Sequence, residues 1–142
     1  MALLRAREAA IAHFRPFLRE FNLTEQQWRV LRALSSSEKI EVLDLARITF
    51  LKPTSLSRIL PKLERRKLCR RRKSQADRRR VLIELAPDGW TLLRRLGPSY
   101  EATYSEITRR FGRQRLARFV RLANEFEAAL AMQGDGEDDG EP

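Results

Sequence analysis

One cysteine, Cys69, and one histidine, His13, are all the chain offers of the two residue types most used for metal ligation. A single cysteine allows no intramolecular disulfide and no cysteine-rich zinc site. A single histidine leaves no histidine pair for a metal or for acid–base catalysis. No nucleophile–base pair and no phosphate-binding glycine loop stands out, which argues against an enzyme and calls for no cofactor. No apolar run approaches the ~20 residues of a membrane span. The first residues, Met1-Ala-Leu-Leu-Arg-Ala-Arg-Glu, lack the continuous apolar stretch of a signal peptide. A cytoplasmic protein without membrane contact is the expectation.

What is present in excess is positive charge. The 142 residues hold 29 Lys and Arg against 19 Asp and Glu, a formal net charge of +10. Residues 58–80 contain Arg58, Lys62, Arg65, Arg66, Lys67, Arg70, Arg71, Arg72, Lys73, Arg78, Arg79 and Arg80, against Glu64 and Asp77 alone. The rest of the chain balances, so one short stretch carries the whole excess. That confinement points to a polyanionic partner rather than to solubility. Aromatic residues beside the basic stretch would favour single-stranded RNA. Between Trp28 and Trp90 there is only Phe50, which leaves non-specific architectural or RNA binding as the weaker alternative to duplex DNA.

The length suits a single domain, and the spacing of apolar residues orders its elements. Leu3, Ala10, Phe14, Phe17 and Phe21 mark one face of a first helix, which Pro16 should bend or break. Thr24 and Gln27 fit a capping box for a second helix, with Trp28, Leu31 and Leu34 inward. A short helix over about 41–48 turns Val42, Leu45 and Ile48 inward. Pro53 opens another helix, with Leu56, Ile59, Leu60 and Leu63 buried and Thr54, Ser55, Ser57, Arg58, Lys62 and Arg65 on the other face. Residues 68–73 and 80–85 read as two strands joined by a polar tip. A long helix follows Pro87, with Gly97-Pro98 expected to kink or interrupt it, and a last helix carries Leu116, Phe119, Ala123, Phe126 and Leu130. The segment 134–142, with five acids and no base, reads as a disordered tail that competes weakly with DNA for the basic face.

This order is mainly α with a small β-hairpin: a winged helix-turn-helix over about 23–86, flanked by helices at about 1–22 and 87–133. One helix fits the major groove, and the basic hairpin can reach the backbone or the adjacent minor groove. The flanking helices carry more apolar stripe than one small tri-helical unit can cover. A homodimer reading two half-sites of a palindromic operator, about 34 Å apart, is the expected arrangement.

Leu23-Thr-Glu-Gln-Gln-Trp-Arg-Val-Leu-Arg-Ala-Leu, Pro53-Thr-Ser-Leu-Ser-Arg-Ile-Leu and Asp77-Arg-Arg-Arg-Val-Leu-Ile-Glu-Leu-Ala-Pro-Asp-Gly resemble the second helix, recognition helix and wing of the MarR family of bacterial regulators. The resemblance runs over about residues 3–131. Leu4-Arg-Ala-Arg-Glu-Ala-Ala, Phe14-Arg-Pro-Phe-Leu and Glu25-Gln-Gln-Trp-Arg are similar to the homoprotocatechuate-operon repressors within it. The resemblance implies a dimeric repressor that leaves its DNA when a small phenolic or aromatic carboxylate binds. It implies that Arg79 enters the minor groove, oriented by Asp77. Candidate DNA contacts are Pro53, Thr54, Ser55, Ser57, Arg58 and Lys62 on the helix, and Arg72, Lys73, Ser74, Asp77, Arg78, Arg79 and Arg80 on the wing. Candidate effector contacts are His13, Arg15, Phe17 and Trp28, each with an ordinary structural role as its alternative. Three features depart from the family pattern: Lys52 at a position where a capping Ser or Thr is common, Pro61 inside the recognition helix, and Gly97-Pro98.

Overall fold

A reciprocal cap starts α2 (Glu25–Ser35). The Thr24 hydroxyl accepts from the Gln27 backbone N–H at 3.2 Å, and the Gln27 side chain accepts from the Thr24 N–H at 3.0 Å. Both donors would otherwise be orphaned at a helix start. From this cap α2 directs Val30, Leu31 and Leu34, each fully buried, into the core. These relations come from a computed structural model describing residues 1–75, 77 and 79–131. Arg78 and the acidic tail at 134–142 lie outside the described residues.

The remaining elements are α1 (Ala2–Glu20), β1 (Ile40–Glu41), α3 (Val42–Thr49), α4 (Pro53–Arg65), β2 (Cys69–Lys73), β3 (Val81–Leu85), α5 (Pro87–Phe111) and α6 (Arg113–Ala131). Leu56, Ile59, Leu60 and Leu63 of α4 are buried as their spacing requires. Strands β2 and β3 pair antiparallel, with Cys69 opposite Leu85 and Lys73 opposite Val81.

Several expectations are corrected. The sheet has three strands in the order β1-β3-β2, because Ile40 and Glu41 pair with Ile83 and Leu82. Ile48 points outward and is 55% exposed. Pro16, Pro61 and Pro98 all lie inside unbroken helices. A proline removes one donor and crowds one carbonyl, and the helix on either side keeps its other bonds. Gly97-Pro98 therefore does not interrupt α5.

The chain divides into two compact units, Met1–Ala102 and Thr103 onward, with α5 running through the division. The first unit holds the hydrophobic core, built from α1 through β3 and the start of α5. Its long hydrogen bonds tie distant segments: the Arg66 guanidinium donates to the Asn22 and Phe21 carbonyls at 2.6 and 3.0 Å, securing the α1–α2 turn. In the second unit Phe111 and Phe119 meet edge to face at 6.3 Å, yet no residue of α6 is buried. Phe119, Val120, Leu122, Phe126 and Leu130 are each 44–56% exposed.

Candidate nucleic-acid interface

Helix α4 begins at Pro53, whose fixed φ suits a first helical position. Lys52 supplies no side-chain cap, so the positive end of the helix is left without a capping oxygen. Pro53, Thr54, Ser57, Arg58 and Lys62 are exposed and Ser55 is half-buried. The Ser57 hydroxyl donates to the Thr54 carbonyl at 2.7 Å, which leaves its oxygen to face outward as an acceptor.

The hairpin tip is shaped by its own polar groups. The Asp77 carboxylate accepts from the Arg79 backbone N–H at 2.9 Å, as in an Asx-type turn. The Ser74 hydroxyl accepts from the Asp77 N–H at 3.4 Å, and Ser74 N–H bonds to the Arg80 carbonyl at 3.0 Å. Asp77 therefore orients Arg79 through the backbone, and the exposed Arg79 side chain extends from a fixed base.

Below the tip the arginines have protein partners. Glu84 is buried, and its Oε1 accepts from Arg72 Nε at 2.6 Å and from Arg70 Nε. Arg70 stands directly across from Glu84 in the ladder and Arg72 is on the same face. Arg71 Nε donates to Glu64 at 3.0 Å, and Arg80 pairs with Glu41. Arg72 and Arg80, read from sequence as DNA contacts, thus sit in the stem with carboxylates against them. Among the described residues Arg58, Lys62, Arg65, Lys67, Lys73 and Arg79 make no ion pair. Cross-strand acids such as Glu84 and Glu41 were not assigned from sequence, because the pairing depends on strand register.

Two arginines hold the Glu84 carboxyl below its ordinary range: the hydrogen bond from Arg72 is the largest cause, burial opposes it, and Arg70 adds to it. A lowered folded pKa stabilises the fold above the ordinary carboxylate range. That contribution is lost as pH falls through the folded value. The arginines are about half exposed, so solvent screening reduces the gain. Glu84→Gln is expected to cost about 1–2 kcal/mol at pH 7 and to flatten the acid limb of stability, as read by urea denaturation at pH 7 and pH 3.

Cys69 is buried at the base of β2, and its thiol is pushed up to about 12, chiefly by burial, then by Glu64, against the pull of Arg71. It stays protonated. The activation that the neighbouring Arg71 would give is outweighed by burial.

A second feature is an open groove of about 820 Å³ in the first unit, walled by α1, α2 and the α3–α4 turn. Trp28 forms part of the wall, while Phe17 lies in the core and meets Trp28 edge-on at 6.3 Å. His13 is exposed and Arg15 pairs with Glu8 at 2.5 Å; neither is among the groove's lining residues. Arg32, which sequence reading missed, stacks over Tyr100 at 4.9 Å and Trp28 at 5.7 Å. Among the described residues it has no carboxylate partner. Its i, i+4 relation to Trp28 was the available signal.

A helix-turn-helix with a basic hairpin wing is the architecture of a DNA-binding regulator. Comparison with known proteins narrows the class. The MarR family model matches residues 23–81. The homoprotocatechuate degradative operon repressor of Escherichia coli is 40% identical over 129 residues, 90% of this chain and 86% of that protein. Among solved structures, the transcriptional regulator PA4135 superposes with a TM-score of 0.87 at 38% identity, covering 89% of this chain and 93% of its own. NadR, solved in complex with 4-hydroxyphenylacetate, superposes with a TM-score of 0.86 at 31% identity, covering 94% and 97%. The chain belongs to the MarR family of transcriptional regulators. The relatives it matches are named as a repressor and a transcriptional regulator, and among the described residues no helix is long and apolar enough to cross a membrane.

Proposed function

We propose that the protein is a dimeric, sequence-specific repressor that binds a palindromic operator and leaves it when a small aromatic carboxylate fills the α1/α2 groove. The observation that carries the DNA-binding part is the separation of the basic side chains. Stem arginines are paired with Glu84, Glu64 and Glu41, while among the described residues Arg58, Lys62, Lys73 and Arg79 make no ion pair on α4 and the wing. In this reading Pro53, Thr54, Ser55, Ser57, Arg58 and Lys62 present α4 to the major groove. Lys73, Ser74, Asp77 and Arg79 place the tip in the minor groove, and Arg72 and Arg80 hold the stem.

Dimerisation is supported by the second unit, where the apolar row of α6 stays exposed in the single chain. Surface of that kind in a regulator calls for a partner, and a second copy also supplies the second half-site. The effector reading is supported by Arg32, a guanidinium stacked on two aromatic rings at the groove, which suits a flat ligand with a carboxylate. The relative NadR holds 4-hydroxyphenylacetate. Trp28 is the wall for the ring and Arg32 the partner for the charge. His13, Arg15 and Phe17 lie off the groove's walls, and the proposal does not require them.

The test is sedimentation of the free protein, followed by fluorescence anisotropy on duplex DNA from its own promoter region, titrated with 4-hydroxyphenylacetate. A dimer whose duplex affinity falls at least tenfold with the ligand is expected. A monomer refutes the dimer; duplex binding unchanged by this or related hydroxyphenyl and hydroxycinnamic acids refutes the effector.

A further inference from the structure

The α1/α2 groove contains a polar chain that leads out of it. Glu25 and Arg29 lie one turn apart on α2. Glu25 Oε1 accepts from Arg7 of α1 and from one terminal nitrogen of Arg29, the latter at 2.7 Å. The other terminal nitrogen of Arg29 donates to the Thr49 carbonyl at 2.9 Å. Arg7, Glu25 and Arg29 all line the groove, as does Phe50.

Thr49 ends α3. It is fully buried, and its hydroxyl donates to the Leu45 carbonyl at 2.5 Å. The next residue, Phe50, is left-handed at φ 51 and ψ 35 and is 80% exposed. A non-glycine residue holds that conformation only when its surroundings fix it. Leu51 and Lys52 then lead into Pro53, the first residue of α4. The guanidinium of Arg29 therefore grips the backbone just before the strained turn that aims the recognition helix.

We propose that Arg29 is the positioning residue through which occupancy of the groove reaches α4. A guanidinium is a rigid planar fork, so one end cannot be re-aimed without moving the other. A carboxylate held by Arg32, one turn along α2 from Arg29, places a second negative charge near Glu25 and pulls on the cations around it. Arg29 then gives up the geometry that serves Glu25 and the Thr49 carbonyl together. The Phe50 turn relaxes, and the start of α4 shifts with it. This rests on the effector reading above, although the chain from Arg7 to Thr49 exists without any ligand.

The test has two arms, each on the full-length protein. In the first, 4-hydroxyphenylacetate is titrated into wild type and Arg29→Gln, each bound to promoter duplex. Wild type is expected to lose at least tenfold in duplex affinity. By reciprocity, duplex lowers its ligand affinity by the same factor. Arg29→Gln, which loses the grip on the Thr49 carbonyl, is expected to bind duplex at least fivefold more weakly than wild type before any ligand is added, to be stabilised thermally by the ligand, and to change its duplex affinity less than twofold on adding it. A variant that releases DNA as wild type does overturns the proposal.

The second arm needs no ligand, and so separates failure of the proposal from failure of the effector reading. It follows amide exchange at Phe50 and Leu51, whose N–H groups close α3 on the Arg47 and Ala46 carbonyls. Glu25→Gln is expected to speed exchange at both amides at least fivefold in the wild-type background and less than twofold in Arg29→Gln. Equal effects of Glu25→Gln in the two backgrounds, or none in either, overturn the proposal even if the ligand binds.

Discussion

Replacing Arg79 by alanine is expected to weaken binding to the specific duplex roughly 10- to 100-fold per half-site and to leave the melting temperature within a degree or so of wild type. The two halves of that expectation come from different parts of the structure. The side chain is exposed at the hairpin tip and has no ion pair among the described residues, so its loss removes nothing from the fold. What fixes the tip is the backbone N–H of residue 79 on the Asp77 carboxylate, and alanine keeps that bond. Arg79→Lys should restore only part of the affinity. An ammonium is more strongly hydrated than a guanidinium and suits a narrow minor groove less well. Arg72→Ala supplies the contrast, because Arg72 donates to the buried Glu84 and its removal should lower stability as well as binding. Anisotropy for affinity and thermal melts for stability separate the two residues. Equal affinity of Arg79→Ala and wild type would remove the wing from the interface.

The largest stability effect is expected at Gly89, in the first turn of α5. A methyl group there would lie 2.1 Å from the Leu68 carbonyl oxygen and 3.0 Å from two side-chain carbons of Leu85. The carbonyl cannot retreat freely, because it also accepts the Ala86 N–H at 3.0 Å. Helical glycine normally costs about 1 kcal/mol relative to alanine, so this position reverses the usual preference. Gly89→Ala must push α5 off the base of the wing and break that bond. About 3 kcal/mol of destabilisation is expected, near the upper end for overpacking, or on the order of 10 °C in Tm. Gly97 is the internal control. Beyond its chain neighbours and its own helical turns nothing lies within 4 Å of its missing side chain, and because crowding of a Cβ against Pro98 offsets the helical preference for alanine, Gly97→Ala is expected to be close to neutral. If Gly89→Ala and Gly97→Ala have the same Tm in parallel melts, the close approach at Leu68 is not a constraint.

Local chemistry was readable from the sequence wherever one segment determined its own structure. The Thr24–Gln27 cap, the Pro53 start of α4 and the buried stripe from Leu56 to Leu63 needed no distant partner. Features decided across space were not readable in this way. The two-residue strand β1 exists because the free edge of β3 offers Ile83 and Leu82 to pair with. Ile48 fits a helical stripe by spacing, yet it ends on the groove side of the α3–α4 turn and not in the core. The basic block was visible as a run of charge. Which of its members remain unpaired depended on acids at positions 41, 64 and 84 that strand pairing and folding bring alongside. The effector candidates show the same limit. Periodicity pointed to the first helix, whereas the stacked Arg32 is defined by Tyr100, more than sixty residues away.

In the proposed function α4 and the wing form a sequence-reading face for duplex DNA. Affinities for promoter duplex and for a scrambled duplex of equal length, measured across a range of salt, decide whether they do. Promoter binding is expected to be tighter by a factor on the order of 10³ or more at moderate salt. Log K is expected to fall steeply and linearly with log salt, at about −0.9 per phosphate neutralised. Equal affinity for the two duplexes at every salt concentration would contradict the proposed function.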